Sequence, residues 1–292
     1  PRTSSTCCAS PIPPRRRHDC YDLAMYRLLA LDLDGTLLRA DHSVDPRDIA
    51  AITELRAAGV TVTIVTGRLY SGAVDAARAC AIEGAIACVE GSHLVDLATD
   101  TTLDHHPIAD AGVAALRAAF DHHRLAGFVF DTDGVHHGDA GRAFAGYVRT
   151  WSPNLRVVED RAPWSTAPLA AVAIGDPDAV AAAHAALRTT AGLTTVAFPV
   201  SAHPGQHALL VRAAGPTKGT ALAALCARAG CTTADAVAIG DWVNDVPMFQ
   251  VAGRAFAMGG APDAVAASAT DQLTTATGAG GGIAEAIRRA WG

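Results

Sequence analysis

Lysine is nearly absent from this 292-residue chain: 22 arginines accompany a single lysine, Lys218. Generic positive charge is therefore supplied by Arg. The lone Lys is either an accident of that composition or a place that needs a compact, flexible point charge and not a wide planar fork. Long hydrophobic runs are missing too, and no stretch approaches the roughly 20 apolar residues that span a bilayer. Charged residues make up only 18% of the chain and the formal net charge is −6, which argues against nucleic acid or an anionic membrane as the main partner. The seven cysteines, an odd number, follow no metal-ligand or disulfide spacing, so the expected location is a reducing cytoplasm. Cys80 and Cys88 sit in apolar segments and read as small buried hydrophobes. No secretory signal is expected in residues 1–24 either, since Arg15-Arg16-Arg17 is followed by no apolar core. Residues 1–24, with four prolines and a Cys7-Cys8 pair, read as a disordered tail or as translated sequence upstream of a start at Met25.

What is present is an apolar half and enough length for one large or two moderate domains. From Met25 onward strands and helices alternate, the pattern of a parallel sheet flanked by helices. Strands are expected at Tyr26–Asp32, Val60–Val65 and Ala85–Val89. Between them come a helix capped by Asp45 with Pro46 in its first turn and a second helix near 71–81. The rhythm then changes. Residues 91–206 carry hairpin signals around Phe128–Gly134 and helices near 109–123 and 178–189, an α+β insertion. The first rhythm is expected to resume with Ala208–Arg212, a helix from Lys218 and the strand Ala236–Ile239. This makes residues 25–90 and 207–292 one discontinuous domain. No internal repeat is evident.

Polar clusters fall where strands end. The run Leu28-Leu29-Ala30-Leu31 enters Asp32-Leu33-Asp34-Gly35-Thr36, and the i, i+2 spacing should send both carboxylates into one volume. Like charges so placed repel, so a cation between them or a shared proton is implied. Thr66, with free amides expected at Gly67 and Arg68, follows the second strand. Lys218 opens a helix, and Asp241, Asn244 and Asp245 follow a later strand. The carboxylates suit a hard divalent cation, Mg²⁺ by default, and the hydroxyl, amides and ammonium suit an oxyanion. Cation and oxyanion meeting at an aspartate point to phosphoryl transfer.

At DLDGTLL (32–38), VTGR (65–68), KGTAL (218–222) and GDWVNDVPMF (240–249) the chain resembles the haloacid dehalogenase-like phosphohydrolases, in particular the Cof-type subfamily with a type IIB cap. The resemblance extends from Met25 to Gly292 and implies an α/β, Rossmann-like parallel-sheet core with an inserted α+β cap. It implies Asp32 as nucleophile and Asp34 as acid and then base, with Thr66, Gly67, Lys218 and Asn244 at the phosphate. Mg²⁺ would be held by Asp32, Asp34 (through its carbonyl), Asp241 and Asp245. The expected activity is a Mg²⁺-dependent phosphatase acting on a small phosphorylated metabolite such as a sugar phosphate, with monomer and homodimer both open. A phosphomutase or phosphotransferase, and a non-catalytic phosphate-ligand binder, are the alternatives. One departure stands out: Glu90-Gly91-Ser92 occupies the place of the usual Asn-Gly-Ala, and its carboxylate would repel a phosphate unless paired.

Several residues keep two readings. Arg68 either meets substrate or pairs with a neighbouring carboxylate; Trp242 faces outward near the metal loop or packs under the cap. Asp131-Thr132-Asp133-Gly134 looks like the first motif but reads as a hairpin turn. The pairs His105-His106, His122-His123 and His136-His137 lack the helical spacing of a zinc site and are expected to be solvated; a contact with substrate stays open for one of them, as it does for His203 and His207.

Overall fold

The computed structural model describes residues 26–132, 134–159, 164, 167–200 and 202–292. The expected tail, residues 1–24, lies outside the described residues, as does Asp133. Along the chain run β1 (Leu28–Leu31), α1 (Pro46–Ala57), β2 (Thr61–Ile64), α2 (Tyr70–Ala79), β3 (Ala85–Cys88), β4 (His93–Asp96) and β5 (Thr101–His105). Then come α3 (Asp110–His122), β6 (Ala126–Phe130), β7 (Val135–His137), α4 (Ala145–Val148), β8 (Leu155–Val157), β9 (Ala170–Gly175), α5 (Pro177–Leu187), β10 (Leu193–Pro199) and β11 (His207–Ala213). The chain closes with α6 (Lys218–Arg228), β12 (Ala236–Gly240), α7 (Val246–Phe249), β13 (Arg254–Gly259), α8 (Asp263–Ala266), β14 (Asp271–Ala276) and α9 (Gly282–Trp291).

The first sheet has the order β14-β13-β12-β1-β2 and is parallel throughout. A strand covered on both faces has no reason to alternate polar and apolar residues, and all four of β1 are buried. A parallel bridge from Val65 to Ala87 seats β3 beside β2. The helices start where their caps dictate. The Asp45 side chain accepts from the Arg47 amide at 2.8 Å with Pro46 in the first turn of α1, and Thr217 and Thr220 form a reciprocal capping box on α6. Across the body, the buried Asp48 carboxylate of α1 accepts from the amides of Gly281 and Ala284 at 2.7 and 2.8 Å, fixing the start of α9. Cys80 and Cys88 are buried and unpaired. No helix among the described residues is long and apolar enough to cross a membrane.

The second sheet has six strands in the order β10-β11-β9-β6-β7-β8. Its membership differs from expectation at both ends of the insertion. β11, expected to return the chain to the parallel sheet, pairs antiparallel with β9 and β10 along its full length. The apolar run Ala208–Val211 serves equally well in either sheet; β10, only seven residues earlier in the chain, and β9 take it as an antiparallel partner. At the other end β4 and β5 do not join this sheet but extend β3 into a three-stranded antiparallel sheet in the order β3-β4-β5. One face of the six-stranded sheet, with Ala171, Ala173, Leu209 and Val211, packs on α3 and α5. Alternation sends their neighbours Ala170, Val172, Leu210 and Arg212 to the opposite face, toward the ends of β1 and β2.

The expected turn at Phe128–Gly134 is present: β6 and β7 pair antiparallel, and Asp131 accepts from the Gly134 amide at 2.8 Å. The histidines depart from a uniformly solvated set. His137 is buried on β7 with Nδ1 at 2.7 Å from the Gly138 carbonyl oxygen, because strand alternation turns one member of an adjacent pair inward. His105, His106 and His122 are exposed.

Candidate active site

Two carboxylates and one ammonium set the centre. Lys218 is fully buried, with Nζ at 2.5 Å from Asp32 Oδ1 and 2.6 Å from Asp245 Oδ1. It is the first residue of α6, where the helix dipole disfavours a cation. Only carboxylates close by make that position tenable. Burial works against the ammonium, but Asp245, Asp32 and Glu90 outweigh it and hold its pKa well above the ordinary lysine range. Asp245 also organises its own loop: its Oδ2 accepts from the amides of Asp241 and Trp242 at 2.9 and 3.0 Å. One carboxylate thus shapes the turn after β12 and orients the lysine.

Oxygens of Asp32, Asp241 and Asp245 lie within 4.8 Å of one another, all buried. Burial pushes the Asp32 carboxyl up, with Asp245 and Asp241 adding repulsion and Lys218 pulling against them. Asp241 is pushed up to about 7 by burial and by the Asp245 carboxylate. Three crowded carboxylates with one cation leave unbalanced negative charge, and an all-oxygen donor set suits a hard divalent ion. Thr36 adds a hydroxyl 3.4 Å from Asp241 Oδ1. Histidine is not part of this group among the described residues.

Asp34 sits apart from that group. β1 ends at Leu31, so strand alternation does not extend to Asp34, and its carboxylate turns outward to Arg68. Arg68 Nε donates to Asp34 Oδ2 at 2.8 Å and Nη2 to Oδ1, a bidentate pair; a further Arg68 nitrogen donates to the Gly72 carbonyl. Of the two readings of Arg68, the structure adopts the carboxylate pair. The intervening glycine is required. Gly35 has φ +78°, and a Cβ there would fall 2.4 Å from Asp241 Oδ2. Gly35→Ala is therefore expected to displace the Asp241 carboxylate and to lower stability by roughly 1–3 kcal/mol, read from a denaturant melt.

The loop after β2 is tied down on all sides. Thr66 is buried, its amide donates to the Ala87 carbonyl at 2.9 Å, and its carbonyl accepts from the Glu90 amide at 2.9 Å. The Arg68 amide, expected to be free, donates to Thr66 Oγ1 at 3.1 Å. A short loop leaves that hydroxyl within reach of the amide two residues on, a local bond that spacing alone does not reveal. Opposite, Val89, Glu90 and Gly91 take three successive left-handed conformations (φ +50°, +58° and +92°), which lays the Glu90 side chain across Gly67. Glu90 is paired: Oε1 accepts from Asn244 Nδ2 at 2.7 Å, and Lys218 and Arg212 lie in its field. Asn244 Oδ1 is buried with no hydrogen-bond partner among the described residues.

A cavity of about 640 Å³ opens over these groups, lined by Asp32, Asp34, Gly67, Arg68, Glu90, Lys218, Asp241 and Asn244 below and by the six-stranded sheet above. Trp242 is 57% exposed and lines its mouth. Motif reading missed Arg212 and the aromatic residues of the upper wall. Arg212 becomes visible only once β11 is assigned to the six-stranded sheet, where alternation aims it at the site.

A family model described as haloacid dehalogenase-like hydrolase matches residues 29–287. The chain is 28% identical over 261 residues to pyridoxal phosphate phosphatase YbhA of Escherichia coli K12, covering 83% of this chain and 91% of that protein. It is 29% identical over 252 residues to a phosphoglycolate phosphatase of Halobacterium salinarum, covering 86% and 92%. Its fold is similar to the solved structure of the subclass IIB sugar phosphatase BT4131, with a TM-score of 0.73, 18% identity and coverage of 90% and 98%.

Proposed function

This chain belongs to the haloacid dehalogenase-like hydrolase family, and we propose that it hydrolyses phosphoric monoesters as a Mg²⁺-dependent phosphatase of small phosphorylated metabolites, working through a phosphorylated Asp32. The observation that carries the reading is the buried ammonium of Lys218 between Asp32 and Asp245, beside a third carboxylate and under a cavity. Structural ion pairs seldom crowd three acids around one base at the ends of parallel strands, where α/β sheets bind ligands.

In this reading one Asp32 carboxylate oxygen attacks phosphorus and the ester oxygen leaves with the bonding pair. Asp34, at the cavity rim, gives that oxygen its proton. Asp34 then takes a proton from water as the water attacks phosphorus, which frees inorganic phosphate and restores Asp32. Arg68 holds the Asp34 carboxylate through Nε at 2.8 Å and through Nη2, so Asp34 reaches the ester oxygen as that contact loosens. Lys218, Asn244, the Thr66 hydroxyl and the Gly67 amide face the phosphoryl oxygens. Asp32, Asp241 and Asp245, with the Asp34 carbonyl, would hold Mg²⁺, which when bound neutralises phosphoryl charge beside the nucleophile. The six-stranded sheet with α3 and α5 serves as a cap, spanning about residues 107–213 between the two stretches of the core.

The test is release of inorganic phosphate from a panel of phosphomonoesters by purified protein. Activity is expected with Mg²⁺, to disappear with EDTA, to return on adding Mg²⁺ and to return little with Zn²⁺. Full turnover in chelator would remove the metal from the mechanism, and no turnover of any ester would remove the phosphatase reading.

A further inference from the structure

The cap sheet turns an apolar, ring-lined face to the phosphoryl site. Register sets this face out in rows: Val196 on β10 stands opposite Leu210 on β11, which stands opposite Val172 on β9. In the next row Arg212 faces Ala170, which faces Phe130. Phe198 lies two residues along β10 from Val196, and every side chain named lines the cavity. At the side of this wall the Trp151 ring packs edge-on to Tyr147 with centroids 4.9 Å apart, and at 5.8 Å from Phe130. The ring is held against the parallel-sheet body. The Trp151 carbonyl accepts from the Leu69 amide at 3.3 Å, and Ser152 meets Ser71 at 2.8 Å.

Part of the cavity's apolar lining, on the cap strand β10 and on the loop after β12, is open to solvent. Among the described residues five large hydrophobic side chains are exposed, and three of them, Val196 (44%), Trp242 (57%) and Val243 (53%), line this one cavity. Exposed apolar area gathered in one concave place, next to a charged centre, marks a binding surface. Polar groups are scarce on the wall itself. Arg212 is its charged residue; one of its nitrogens donates to the Pro216 carbonyl at 3.2 Å, and Glu90 offsets its charge. A polyol seated here would lose water from its hydroxyls and find few partners in exchange. A flat ring would instead stack against Phe198, Trp151 and Phe130.

We infer that the leaving group of the substrate is a flat, predominantly apolar ring, so that the substrate class is the phosphate esters of aromatic or heteroaromatic carbinols and not sugar phosphates. The inference rests on the phosphatase reading for placing the phosphate at Asp32.

Benzyl phosphate, glycerol 1-phosphate and glucose 6-phosphate each release a primary alcohol, so differences among them report the cavity and not leaving-group chemistry. With Mg²⁺, kcat/KM for benzyl phosphate is expected to exceed that for the other two by at least about tenfold. Phe198→Ala should cut the benzyl value by about five- to tenfold and leave glycerol 1-phosphate within about twofold. Val196→Asn, at an exposed position that threatens no fold, should act in the same direction. Binding is read independently from tryptophan fluorescence, since Trp151 and Trp242 line the cavity: benzylphosphonate should bind at least about tenfold tighter than methylphosphonate. Equal turnover of the three esters, or equal affinity for the two phosphonates, overturns the inference and leaves the phosphatase reading intact. Tighter benzylphosphonate binding without turnover of any ester would sustain the ring site and overturn the phosphatase reading.

Discussion

Asp32→Asn is expected to lower turnover on the order of 10⁴- to 10⁶-fold while the protein still folds. The amide keeps the size and the capacity to accept from Lys218 Nζ, now at 2.5 Å, but loses the charge that attacks phosphorus. Stability should change little, because two effects oppose. Lys218 loses one of two anionic partners, while Asp245 and Asp241 lose a repulsive neighbour whose burial already holds its pKa up. The control is Asp131→Asn at the look-alike turn. Asp131 accepts from the Gly134 amide at 2.8 Å and lies 2.7 Å from His136 Nε2, outside the three-carboxylate group. It should leave kcat unchanged. Phosphate release and a thermal melt of both variants decide the matter, and comparable losses of turnover at the two sites would mean that the nucleophile has been misassigned.

The contrast between those two aspartates also marks how far sequence reading goes. Strand β1 and helix α1 are legible because their signals are local, an unbroken apolar run and an Asp45-Pro46 start, and α6 begins at Lys218 as expected, with a Thr217 cap that the structure adds. The meeting of Asp32, Lys218, Asp241 and Asp245 is legible because parallel strands deliver their ends to one edge, whatever lies between. Three things were not. Strand alternation stops where the strand stops: Asp34 lines the same cavity as Asp32, but its pairing with Arg68, 34 residues away, is not visible from spacing. The sheet that receives β11 depends on competition between partners, which apolarity alone does not rank, and Arg212 is lost with it. Glu90 reads as a repulsive charge until the left-handed turn at Val89–Gly91 shows it under Asn244. In each case the missing information is a long-range contact.

Lys218 gives the second large effect, and its geometry separates shape from charge. Its Nζ lies 2.5 and 2.6 Å from two carboxylates, in a position with no exposure to solvent. A guanidinium keeps the charge, but it is planar, wider and donates in fixed directions, so it cannot occupy the point an ammonium fills between converging oxygens. Lys218→Arg should therefore lose about 3–4 kcal/mol of transition-state stabilisation, roughly two to three orders of magnitude in kcat. Lys218→Ala should lose more, and its cost extends to folding. Without the ammonium Asp32 and Asp245 face each other as buried, uncompensated charges, a situation that typically costs about 3–5 kcal/mol. Saturating Mg²⁺ should return part of that stability to the Ala variant by restoring positive charge to the carboxylates, without restoring turnover. Melts with and without Mg²⁺, paired with kcat for both variants, test the scheme. If Lys218→Arg turns over at the wild-type rate, the ammonium is replaceable by any cation, and the solitary lysine reflects composition and not mechanism.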